Sequence, residues 1–137
     1  MKLIDFNILS NKISFNNPYY ANLENLLNSN FNKPTTLHSY LKEILIVVEN
    51  WGNDTLDFHL KNLFGGYWDE EGLKAYNVEG KWFTFFCYDD LHGYIHLESK
   101  TFYLENSILI NEAIIEMPLD EFVDVLKQWK TIIDIEK

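Results

Sequence analysis

From Leu37 to Trp51 apolar residues recur at intervals of three and four: Leu37, Tyr40, Leu41, Ile44, Leu45, Val48 and Trp51. That spacing lines one side of a helix. Pro34-Thr35-Thr36 opens the run, where threonine caps free N–H groups, and Gly52-Asn53 ends it. Dense β-branching over Ile44 to Glu49 favours a strand there, but the longer period outweighs it. Asp54 is expected to cap a second helix through Leu63, with Leu56, Leu60 and Leu63 on one side and Gly65-Gly66 as its stop. Upstream, Lys2 to Asn7 alternates and predicts a first strand. Ser10 to Pro34 is rich in asparagine, which favours turns and caps. Within it Tyr20, Leu23, Leu26 and Leu27 predict a short helix over residues 19 to 29.

From Leu73 the period changes to an extended one. Leu73 to Val78 and Lys81 to Tyr88 flank Glu79-Gly80, and Tyr94 to Glu98 and Thr101 to Glu105 flank Ser99-Lys100, which predicts two hairpins. Ser107 to Glu116 supplies a further strand. Aromatics stand on both alternating faces of Trp82 to Tyr88, predicting a central strand covered on two sides. In the closing helix Pro118 fits the first position, Asp120 and Glu121 complement the positive end, and Lys127 and Lys130 lie towards the negative end. Its apolar stripe is Leu119, Phe122, Val123, Leu126, Trp129 and Ile133. The expected fold is α+β in a single globular domain over residues 1–137: N-terminal helices, an antiparallel β-meander of four to five strands, and a C-terminal amphipathic helix packed on the sheet.

Composition sharpens this. A chain of 137 residues, 47% of them hydrophobic, buries enough surface to need neither disulfide nor metal staple and is too apolar to be disordered. Cys87 is the only cysteine, which excludes an intramolecular disulfide and fits a reducing compartment, so a cytoplasmic location is expected. Met1 to Asn7 has no apolar run of signal-peptide length, and Ile44 to Val48 is too short to cross a bilayer. No membrane association is expected.

Charge changes the picture most. Residues 1 to 68 hold six acids against five lysines, whereas residues 69 to 137 hold fifteen against six, so nearly all of the net charge of -10 sits in the second half. Concentrated charge of one sign attracts a partner of the other. Arginine is absent, which removes the preferred bidentate reader of phosphate and guanine, so no direct nucleic-acid binding is expected. The fifteen asparagines and many lysines and isoleucines also fit an AT-rich coding bias.

Candidate chemistry is sparse. Gly65-Gly66-Tyr67-Trp68-Asp69-Glu70-Glu71-Gly72 combines glycines that permit a tight loop, two large aromatics, and three adjacent carboxylates that repel one another until a cation compensates. Tyr67, Trp68, Asp69, Glu70 and Glu71, with Asp89 and Asp90, are therefore the candidate partner-binding residues. The plain alternative is a helix-to-strand connection with solvated acids. Asp89, Asp90, His92 and His96 invite a metal site, but their spacing favours an acidic turn with two half-exposed histidines. Cys87, between aromatics and aspartates, lacks the electropositive setting of an activated thiolate. His38 with Ser39, and His59, match no triad or nucleophile elbow. No catalytic residue, metal or cofactor is expected. The acids from Asp89 to Asp124 form a longer field, several of which are expected to converge on one edge or rim if the strands and final helix pack as proposed; the plain alternative is solubility.

With its acidic aromatic segment Tyr67-Trp68-Asp69-Glu70-Glu71 and its closing helix Met117-Pro118-Leu119-Asp120-Glu121-Phe122 through Trp129, the chain resembles the small acidic immunity proteins of bacterial toxin–immunity systems, including those of contact-dependent growth inhibition. The resemblance implies a non-enzymatic inhibitor that binds a cognate basic toxin domain, often a nuclease, and covers its active site or substrate surface. A small metal-dependent enzyme and an acidic nucleic-acid mimic remain open beside it.

Overall fold

The computed structural model describes residues 6–9, 12–64, 82–109 and 114–135. The segment Tyr67 to Glu71 and the expected strand Leu73 to Val78 lie outside the described residues.

Strands β1 (Phe6–Leu9) and β2 (Lys12–Phe15) form an antiparallel hairpin with Phe6 opposite Phe15. The sequence pattern predicts one strand here and misses β2, because asparagines flank it. Those asparagines have a structural role. The Asn28 amide accepts from the Ile13 N–H and donates to the Ile13 carbonyl, both at 2.8 Å, and so imitates a neighbouring strand. Glu24 accepts the Phe15 N–H at 2.8 Å. Side chains thus satisfy backbone groups that a third strand would otherwise take.

A 3-10 turn (Pro18–Tyr20), helix α1 (Ala21–Asn25) and a π turn (Leu26–Asn30) follow, matching the short helix predicted over 19 to 29. Their buried Leu23, Leu26 and Leu27 join the main core. Helix α2 (Pro34–Glu49) starts two residues earlier than a cap at Thr35 requires. Its cap position is Lys33, without a side-chain bond, and Thr35 and Thr36 lie in the first turn; Pro34 serves instead, since its missing N–H loses nothing there. Gly52 takes a positive φ of 86°, and α3 (Leu56–Phe64) then begins.

The main sheet is antiparallel, with the described strands in the order β3 (Trp82–Cys87), β4 (Leu91–His96), β5 (Thr101–Asn106) and β6 (Ile115–Pro118). Among the described residues β3 pairs with β4 alone, and the strand expected on its other side, Leu73 to Val78, lies outside them. Trp82, Phe85 and Phe86 of β3 are buried on its two faces, as expected. A register shift between Thr84 and Phe86 turns both Phe85 and Phe86 into the main core, where Phe85 meets Tyr40 and Phe122 edge-to-face. Trp82 lies on the other face, in a second buried cluster with Tyr94 and Tyr103.

Four strand boundaries differ from expectation. β4 runs Leu91–His96, starting three residues before the expected Tyr94. The β4–β5 turn is four residues, Leu97 to Lys100, with Lys100 at a positive φ of 54°. Residues 107 to 109 continue β5 as a loop, and β6 starts only at Ile115. Pro118 ends β6 instead of opening the helix, and the Leu119 N–H bonds the Lys100 carbonyl at 2.9 Å.

Helix α4 (Leu119–Ile135) packs across the sheet as its stripe predicts. Leu119, Phe122, Val123, Leu126, Trp129 and Ile133 are all buried, while Asp120 and Asp124 are exposed. Phe122 stacks on Phe102 of β5, centroids 3.7 Å apart, and seats the helix on the sheet face that also carries Ile95 and Met117. None of the described helices is long and apolar enough to cross a membrane.

Candidate partner-binding surface

Two connections meet at one end of the sheet: the β3–β4 turn, Tyr88 to Asp90, and the start of the β5–β6 connection, Ser107 to Leu109. Antiparallel pairing of β4 with β5 in full register, Leu91 opposite Asn106, brings them side by side. Ser107 joins them. Its N–H bonds the Asp90 carbonyl at 2.8 Å, and its hydroxyl reaches the carbonyls of Asp89 and Asp90 at 3.2 and 3.4 Å. Asn25 of α1 donates to the Asp90 carboxylate at 3.4 Å. The Asp89 carboxylate is exposed and has no hydrogen bond or ion pair among the described residues. Of the seven candidate residues named above, Asp89 and Asp90 are therefore placed at a held, outward-facing turn.

Beside this acidic turn stands an apolar pair that the sequence reading assigned to a strand. Ile108 and Leu109 are 65% and 53% exposed. Their backbone is not loose: the side-chain oxygen of buried Asn106 accepts the N–H groups of Ile108 at 2.9 Å and Leu109 at 2.7 Å. Ile114, where the same connection re-enters β6, is also exposed, as is Tyr19, whose hydroxyl accepts the Glu116 N–H at 3.0 Å. Large exposed aliphatics close together are uncommon on a protein that contacts nothing, and a fixed apolar knob beside charge is the usual anatomy of an interface anchor. The signal in the sequence was Asn106 two and three residues ahead of Ile108-Leu109, an Asx turn where alternation implied a strand.

Four of the acids expected along one rim divide between the two ends of the sheet. Asp89 and Asp90 lie at the end just described. At the opposite end Asp120 faces Lys100 at 3.4 Å, and Lys100 also lies 5.5 Å from the Trp51 ring centroid; Glu98 there contacts His96 at 3.4 Å.

On the sheet face away from α4, His92, Tyr94 and Glu105 are engaged with one another. The Tyr94 hydroxyl bonds His92 Nδ1 at 3.0 Å and donates to Glu105 at 3.2 Å, and His92 lies 3.5 Å from the same carboxylate. Burial first, then the Glu105 charge and hydrogen bond, push the Tyr94 phenol well above its ordinary pKa. Tyr103 is raised for the same reasons, with Glu116 as its carboxylate. His92 and His96 do share a face of β4, as the metal reading required. Four residues along a strand nevertheless separate them by about 13 Å. His96 is buried, with Nδ1 2.6 Å from the Ser99 hydroxyl and its ring 4.6 Å from that of Trp82. Among the described residues no three or more His, Cys, Asp or Glu side chains are grouped to hold a metal ion.

Compared with known proteins, the chain matches no family model, no curated protein and no solved structure.

Proposed function

We propose that the protein is an immunity protein that binds a cognate basic toxin domain, a nuclease by the logic of charge, and neutralises it by covering its active site or substrate-binding surface in the cytoplasm. The observation that carries this reading is the pairing of the clamped Asp89-Asp90 turn with the exposed Ile108-Leu109 pair. A surface that attracts phosphate with lysine and arginine is complementary to such acids, and the apolar pair supplies short-range contact once the acids have steered the encounter. The net charge of -10 and the second-half skew act in the same direction over longer distances. Tyr67, Trp68, Asp69, Glu70 and Glu71 extend the proposed contact by their composition.

Growth rescue tests it. Co-expression with a toxin domain encoded beside this gene should protect cells, and the double substitution Ile108→Asp with Leu109→Asp should abolish protection while the protein remains folded. Toxicity that persists in the presence of the unaltered protein would refute the reading. Replacing Asp69, Glu70 and Glu71 with lysine should slow association at low salt.

A further inference from the structure

Helix α4 runs antiparallel to α2. Its Trp129 bonds the Phe31 carbonyl just ahead of α2, whereas Asp120, at its start, lies 3.4 Å from Lys100, whose ammonium is 5.5 Å from the ring of Trp51 just past the end of α2. Beside this helix pair lies an open groove of about 430 Å³. Its floor is Leu41, Leu45 and Ile46 of α2, and its rim is His38, Lys42 and Glu49 of α2 with Lys130 of α4. The α2 residues recur at intervals of one, three and four, so they share one helical face. Leu41 is buried, Leu45 is half-buried against the core, and Ile46 is left half-exposed. Lysine stems add apolar wall while their ammonium groups stay in water.

The charges in this lining are sorted by position. Lys130 follows Trp129, in the part of α4 that meets the beginning of α2, and so joins His38 and Lys42 at one end of the groove. Glu49 stands seven residues beyond Lys42, about 10 Å further along the helix. In a chain of net charge -10, the groove sets two lysines and a histidine against a single acid. Lys42 is exposed and makes no hydrogen bond or ion pair among the described residues. A mostly apolar concavity with a few polar groups gathered at one end is the usual form of a site for a small amphipathic molecule. The cationic end takes an anionic head, and Glu49 repels a second anion at the other end. Lysine lacks the bidentate fork with which arginine grips phosphate, and a single carboxylate is matched by point charges.

We propose that the α2–α4 groove binds a free medium-chain alkyl carboxylate, with the carboxylate between Lys42 and Lys130 and the alkyl chain along Leu41, Leu45 and Ile46 towards Glu49. This site is separate from the Asp89-Asp90 turn and stands or falls independently of the function proposed above.

Octanoate is the probe, titrated below its micelle concentration into the full-length protein while methyl NMR shifts are followed. The methyl groups of Leu45 and Ile46 should move in a saturable manner, and those of the exposed pair Ile108 and Leu109 should not. Octylammonium, with the same chain and the opposite charge, should bind more weakly, as should propionate, which has the head without the chain. Lys42→Gln should weaken octanoate binding about threefold and the double change with Lys130→Gln about tenfold, as expected for solvent-exposed ion pairs. Lys61→Gln on α3 removes the same charge outside the groove and should leave binding unchanged. All three lysines are at the surface, so these variants keep the fold. Octylammonium or propionate binding as tightly as octanoate would overturn the site, as would undiminished binding by the double variant. Shifts at Ile108 and Leu109 as large as those at Ile46 would mark adventitious apolar adsorption and overturn it equally.

Discussion

The indole Nε1 of Trp129, near the end of α4, donates a fully buried 2.9 Å hydrogen bond to the backbone carbonyl of Phe31. It ties the C-terminal helix to the segment that leaves the π turn, ninety-eight residues earlier. Trp129→Phe keeps most of the apolar volume and strands that carbonyl without a donor. The expected cost is about 1–3 kcal/mol. Urea denaturation should show a lower midpoint with an unchanged slope.

Gly93 faces Phe86 across the β3–β4 pair, and a Cβ there would sit 2.5 Å from two carbons of the Phe86 ring. That ring is packed among Phe31, Tyr40, Tyr88 and Phe102 and has little room to yield. Gly93→Ala is expected to destabilise by about 1–3 kcal/mol, as overpacking does, and thermal unfolding would show it.

Three phenols, Tyr88, Tyr94 and Tyr103, have raised pKa values, with burial the largest cause in each. The folded state therefore holds these protons more tightly than the unfolded chain, whose tyrosines titrate near about 10. The stability they contribute is complete below that pH and is lost as pH rises through the folded-state values. Alkaline titration followed by phenolate absorbance should show late-titrating tyrosines whose ionisation coincides with unfolding. Tyr94→Phe should remove one of them.

Asn106 is 7% exposed and spends its oxygen on the Ile108 and Leu109 N–H groups, while its amide nitrogen has no hydrogen bond among the described residues. Asn106→Ala removes two bonds and one unpartnered donor together, so the loss of global stability should be modest, about 1 kcal/mol. Amide hydrogen exchange locates the effect. Ile108 and Leu109 should exchange faster, and the amides of β4 should not.

Local periodicity made the helices and the α+β class legible in the sequence: the α4 stripe is buried residue for residue, and α2 is read to within a turn. What escaped reading depends on tertiary partners. β2 is held by Asn28 and Glu24, Phe85 and Phe86 share a face only because of the bulge, and β6 starts late because the Asn106 side chain diverts residues 108 and 109 into a loop. Of the candidate surface, composition pointed to Asp89 and Asp90. The apolar half was hidden because alternation in Ser107 to Glu116 reads as a strand, and exposure is a property of the whole fold.

The central claim is that this acidic, apolar end of the sheet captures a basic partner. Its most direct test is the association rate with a basic toxin domain, where one is encoded beside the gene, measured at low and high salt for the unaltered protein and for Asp89→Lys with Asp90→Lys. Steered association should be fast at low salt, fall as salt rises, and drop about tenfold or more on charge reversal. An association rate indifferent to both salt and the reversal would contradict the account.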